Sequence, residues 1–100
     1  MTVYVDNARI EWQGKFWCHL VADSLSELHS FAILLGLRRS WFQRNASYPH
    51  YDITVECREK ALLLGAFAGT RVQIITCAKK MKSELLQEAL AQECQLCLFL

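Results

Sequence analysis

Ser24-Leu-Ser-Glu27 constrains this chain more than any other stretch, because it is a capping box. The Ser24 hydroxyl can accept from the Glu27 backbone N–H while the Glu27 side chain reaches back to Ser24, so a helix starts here. Leu28, Phe31, Ala32 and Leu35 then recur at helical spacing and define one apolar face. Gly36 is the stop and Leu37 the hydrophobic contact beyond it. A helix over residues 25–35, with one face to bury, must find a partner layer.

The preceding residues supply one. Lys15 to Val21 is nearly continuous in apolar and aromatic side chains, which suits a strand covered on both faces. Thr2 to Val5 is a short β-rich run closed by Asp6-Asn7. Arg9 to Trp12 reads as a second short strand or an irregular arm, with Gln13-Gly14 as a turn. Arg38 to Arg44 reads as one helical turn, Asn45 to Pro49 as loop, and Pro49-His50-Tyr51-Asp52 as a turn. Thr54 or Asp52 caps a second helix from Val55 to about Leu64, stopped by Gly65. The β-branched run Arg71 to Thr76 reads as a strand, and Thr76 as the cap of a third helix from about Ala78 to Gln92. The expected fold is a single small α/β domain. Its three- or four-stranded sheet, mixed or with a parallel core, is packed with about three helices. The strands at 15–21 and 71–76 are expected to run parallel through a right-handed crossover. That would put His19 and Asp23 at the carboxyl end of a central strand, where open α/β sheets bind ligands.

Composition narrows the function classes. One hundred residues make one core, and 53% hydrophobic with 21% charged residues is a globular balance. A net charge of +1 gives no general pull toward nucleic acid or anionic lipid. No apolar run reaches the roughly 18 residues that span a bilayer. The amino-terminal residues lack the pattern of a signal peptide, so a cytoplasmic protein without a membrane partner is expected. The five cysteines are an odd number and scattered, as buried small hydrophobes are. Cys94-Gln-Leu-Cys97 is one Cys-x-x-Cys without a second pair, and packing explains it best. The apolar ending, residues 96–100, is expected to pack on the body or on a second copy, making a homo-oligomer.

Chemistry concentrates between Cys18 and Asp52. All three histidines lie there, His19, His29 and His50, together with Asp23 and Asp52. Imidazole with carboxylate can hold a divalent metal or run acid–base chemistry near neutral pH. If a metal binds, His19, Asp23, His50 and Asp52 are its expected ligands. The spacing matches no tight metal signature, so an organic-ligand pocket and plain structural hydrogen bonding stay open beside it. A second group interleaves Trp17, Trp41, Phe42, Tyr48 and Tyr51 with Arg38, Arg39 and Arg44. Rings stack on bases and guanidinium groups hold phosphates, though aromatics in a small domain mostly fill the core. Glycine-rich phosphate loops are absent.

Taken in order, Met1-Thr-Val-Tyr-Val-Asp6, Ala8-Arg9, Cys18-His19-Leu20, Ala22-Asp23, Glu27-Leu28-His29, Phe31-Ala32, Leu35-Gly36-Leu37, Trp41-Phe42-Gln43 and His50-Tyr51-Asp52-Ile53 resemble the domain of unknown function 4031 family. The resemblance covers about the first two-thirds of the chain, to residue 66. It implies a small intracellular domain, often phage-borne, and brings no activity. The link at 44–49 looks longer than the family's, and the chain after Cys77 looks particular to this protein.

The leading functional expectation is a protein that binds a nucleotide-like metabolite or signalling nucleotide without turnover, as a phage counter-defence protein would. Arg9, His19, Asp23, His29, Arg39, Trp41, His50, Tyr51 and Asp52 are the candidate contacts. His19, Asp23, His50 and Asp52 would hydrogen-bond the ligand, Trp41 or Tyr51 would stack, and Arg9, Arg38 or Arg39 would neutralise phosphate. The alternatives are a metal-dependent hydrolase or nuclease built on the His/Asp cluster, and an interaction module acting through an apolar face. No cofactor is specified.

Overall fold

The structure is a computed structural model and describes residues 2–98. Six strands and three helices alternate along the chain: β1 (Val3–Val5), β2 (Ile10–Trp12), β3 (Lys15–Ala22), α1 (Leu25–Leu35), β4 (Phe42–Gln43), β5 (His50–Thr54), α2 (Val55–Leu63), β6 (Phe67–Ala68) and α3 (Arg71–Leu98), with one 3₁₀ turn at Arg39–Trp41. The α/β class and the mixed sheet are as expected, with more strands than the sequence suggested. The sheet runs β4-β5-β3-β1-β6, with β2 paired to the outer half of β3. Only β1 and β6 are parallel; the other pairs are antiparallel.

Register sorts the side chains onto two faces. Val5 lies opposite Leu20, Leu20 opposite Tyr51 and Cys18 opposite Ile53, and all five are essentially inaccessible to water. They form one core layer with Leu28, Phe31, Ala32 and Leu35 of α1 and Ala61 of α2. The alternate positions, Tyr4, His19, Val21, His50 and Asp52, lie on the other face. There α3 crosses the β1 end of the sheet. A Cβ on Gly69 would meet Ile74 Cδ1 at 3.0 Å and Tyr4 Cβ at 3.1 Å, so a larger residue would have to push these side chains aside where the chain passes close to β1 and turns into α3.

The helix ends follow their caps. Ser24 Oγ accepts the Glu27 N–H at 3.2 Å. Glu27 does not reach back to Ser24, however; its carboxylate accepts the Thr2 N–H, and Glu84 of α3 accepts the Leu25 N–H at 2.8 Å. Gly36, at φ 82°, closes α1 with the Leu37 N–H bonded to the Ala32 carbonyl. Thr54, not Asp52, caps α2.

Two of the expected elements take a different form. Residues 71–76 are the first turns of α3, not a strand, so no crossover joins them to β3. Thr70 and Gln73 make a reciprocal box there: Thr70 Oγ1 accepts the Gln73 N–H at 3.2 Å, and Gln73 Oε1 accepts the Thr70 N–H at 2.9 Å. Ile74, Cys77, Ala78, Met81 and Leu85 then bury one helical stripe, which outweighs the β preference of the branched residues. The second is the turn expected at His50-Tyr51-Asp52, which is strand β5. Among the described residues no helix is long and apolar enough to cross a membrane. The side chains of Cys94 and Cys97 and the apolar ending lie outside the described residues.

Candidate metal centre

His19 pairs with Asp52 across β3 and β5, and His50 stands two residues before Asp52 on the same strand face. Antiparallel pairing therefore puts all three side chains on one face, next to one another. The His50 Nε2 lies 3.0 Å from Asp52 Oδ1, and the His19 Nε2 lies 3.9 Å from it. The two rings meet edge to face with centroids 4.7 Å apart. One ligand atom from each residue lies within 4.8 Å of both others. All three are half-buried, in a protein whose buried core holds no polar or charged residue among those described.

The outer ring nitrogens are already engaged. His19 Nδ1 donates to Asp6 Oδ2 at 2.5 Å, and His50 Nδ1 donates to the Tyr48 carbonyl at 2.6 Å. Carboxylate and carbonyl only accept, so both hydrogens sit on Nδ1. Each Nε2 is left facing the Asp52 carboxylate, itself only an acceptor, and the three atoms need a proton or a cation between them. Metal-bound histidines are held in this way, with the second nitrogen tied to a carboxylate or backbone carbonyl. Asp6 also accepts the His19 backbone N–H at 2.8 Å through Oδ1. Burial opposes ionisation of Asp6, but the bonds from the His19 ring and backbone outweigh it and lower its pKa. The same bond from Asp6 raises the His19 pKa, against the opposing effect of burial.

His19 and His50 line a cavity of about 650 Å³ together with Val21 of β3 and Ile74, Ile75 and Ala78 of α3. Ala46, Ser47 and Tyr48, from the loop before β5, line it too, as does Arg71 at the start of α3. His19 lies in mid-strand, not at the carboxyl end of β3. Asp52 lines a second depression, on the other side of the cluster.

The remaining candidates go elsewhere. Asp23 follows the end of β3, where it accepts from Lys80 Nζ at 3.4 Å and from the Cys77 thiol at 3.5 Å. Slight burial opposes its charge, yet the Lys80 and Cys77 bonds hold its pKa low. The Cys77 thiol is pushed up to about 11, by burial and by Asp23, and stays protonated. His29 is on the α1 side, bonded to the Tyr51 hydroxyl at 2.9 Å and edge to face with Phe42. Tyr51 is fully buried and offers no ring face to a ligand. Arg39 is exposed beside this His29–Tyr51 pair. Arg9, at φ 49°, is held by Asn7 at 2.9 Å and does not line the cavity. Trp41 is half-exposed in the second depression, with the Arg38 guanidinium 5.8 Å above its ring. Cys18 is buried on the opposite face from its neighbour His19, as strand alternation requires.

Sequence reading missed Asp6 as a partner of His19, having taken it for a turn residue. The signal was antiparallel pairing: with Val5 opposite Leu20, the next residue along β1 comes level with His19.

The molecule is thus a small α/β domain carrying a two-histidine, one-carboxylate cluster on an open sheet face. The family described as protein of unknown function DUF4031 matches residues 3–81, and the chain belongs to it. The match continues past residue 66 into the packed half of α3. No curated protein and no solved structure matches the chain.

Proposed function

We propose that His19, His50 and Asp52 bind one divalent cation, and that the protein is a small metal-dependent hydrolase acting on a ligand seated in the adjoining cavity. The carrying observation is the convergence of two Nε2 atoms and one carboxylate oxygen, with both Nδ1 atoms already committed to Asp6 and Tyr48. Two imidazoles and a carboxylate suit zinc, manganese or ferrous iron, and three protein ligands leave positions open for water and substrate. A cation there would lower the pKa of its bound water toward neutrality, which generates a nucleophile at neutral pH. Asp6 would orient His19 and raise its basicity.

Calorimetric titration of metal-stripped protein with zinc and with manganese tests the site. One ion per chain is expected, with binding lost in His19→Ala and in His50→Ala. No saturable binding, or binding unchanged in both variants, would sink the proposal. Chromogenic esters and phosphoesters then test turnover by the loaded protein.

A second reading is binding of a nucleotide-like ligand without turnover, as a sequestering protein would use it. The cavity supports it: 650 Å³ is within the range of small-molecule sites, and its lining is mostly apolar. Native mass spectrometry separates the two. A retained organic ligand without product formation favours sequestration.

A further inference from the structure

All three tryptophans of this chain line one groove of about 740 Å³. Trp12 is carried by β2 and is 60% exposed; Trp41 ends the 3₁₀ turn and is 48% exposed. Trp17 belongs to β3, opposite Ile10 of β2, and is half-buried. Its Nε1 donates to the Trp12 carbonyl at 3.1 Å, and its ring meets that of Trp12 edge to face at 6.3 Å. The arm is a tight hairpin: Gln13 and Gly14 have φ 50° and 76°, the left-handed pair that a two-residue β-turn demands. Trp12 is therefore held in place although it contributes little to the core. Two indoles with half their surface in water, facing one groove, are not explained by packing.

The polar groups of the groove narrow what fits. Ser40, Gln43 and Thr54 offer donors and acceptors, and Lys15 a positive charge. An apolar peptide seated here would strip these groups of water without replacing their hydrogen bonds. A planar heteroaromatic ring with a polar edge and an attached anion offers partners to Ser40, Gln43, Thr54 and Lys15. It can stack on indole, bond through its edge and place its phosphate at Lys15.

We propose that this groove is a nucleobase subsite, formed by Trp12 and Trp41 with Gln43 and Ser40 at the base edge. Asp52 lines the groove as well as completing the histidine cluster. A nucleotide here is thus placed beside the metal centre. That link rests on the proposed metal site, whereas the base subsite does not.

Because every tryptophan lines the groove, intrinsic fluorescence reports on it directly. The full chain is titrated in the presence of chelator with adenosine monophosphate, uridine monophosphate, adenosine and a short single-stranded oligonucleotide. Saturable quenching is expected, stronger for the adenine than for the uracil nucleotide, and weaker for adenosine than for its monophosphate. Trp12→Ala and Trp41→Ala should each weaken binding about tenfold or more. Their thermal unfolding should match the parent, since both side chains are exposed. His50→Ala should leave base binding intact, so loss of the metal site and loss of the subsite are read separately. Equal affinity for the oligonucleotide and the mononucleotide identifies a single-base ligand; about tenfold tighter oligonucleotide binding identifies the end of a strand. Absence of saturable quenching, or quenching unchanged in both tryptophan variants, overturns the proposal. Binding lost in His50→Ala but kept in the tryptophan variants also overturns it, by moving the ligand to the cavity.

Discussion

Two histidines of this protein titrate in opposite senses. Burial, and then the charge of Arg39, lowers the His29 pKa, while burial raises that of Tyr51. Both shifts fit one hydrogen bond, in which the Tyr51 hydroxyl donates to a neutral His29 Nδ1. The unfolded chain takes up the His29 proton first as pH falls through about 6.5. Stability from neutral His29 is complete above that value and is lost as pH falls toward the depressed folded pKa. His19, raised by Asp6, contributes the reverse: stability present below about pH 6.5 and lost as pH rises through its folded pKa. His29→Gln keeps a polar group at the site but does not titrate. Its denaturation midpoint should therefore fall less than the parent's between about pH 7.5 and about pH 5, measured in parallel urea titrations. At the cluster, Asp6→Asn keeps an Oδ1 acceptor for the His19 N–H but removes the carboxylate from its ring. Calorimetry should show metal affinity reduced roughly 10- to 100-fold, with the fold retained.

Elements that carry their own punctuation were legible. Both ends of α1 were readable from Ser24 and Gly36, and α2 was placed because Thr54 and Gly65 bracket it. The run 71–76 was misread because Val72, Ile74, Ile75 and Thr76 favour strands locally. Thr70-x-x-Gln73 is the same kind of signal as Ser24-x-x-Glu27, and it decides the matter together with the stripe that begins at Ile74. Thr70→Ala should cost about 1 kcal/mol of unfolding free energy, by chemical denaturation. A larger loss at an exposed cap would mean that Thr70 does more than start the helix. The histidine cluster was only partly legible for a different reason. Its candidates could be named from composition, but which of them meet depends on the β3–β5 register, a tertiary property. Asp23 and His29 are closer in sequence to His19 than Asp52 is, yet neither joins it.

At the scale of the molecule the shape is set by α3. Its 28 residues, about 42 Å of helix, account for most of a longest dimension of 49 Å. Among its described side chains the buried positions end at Met81, where the family match also ends, and residues 86–92 are exposed. Leu86 and Leu90, 58% and 60% exposed, face no partner among the described residues. Replacing both with Glu should shift the unfolding free energy by no more than about 0.5 kcal/mol for each. Light scattering of the same variant tests the expected self-association. An oligomer built on this face should dissociate, and one built elsewhere should persist.

The pairing of β3 with β5 has a consequence for how the chain reaches its native state. His19 and His50 are 31 positions apart, so an ion held between them closes a long loop of chain. The unfolded polymer has no such site, and the cation would act as a removable cross-link whose binding energy adds to that of folding. Any substitution that loosens the distant α1 layer, Leu28→Ala for instance, would then weaken the protein's hold on the ion without touching a ligand.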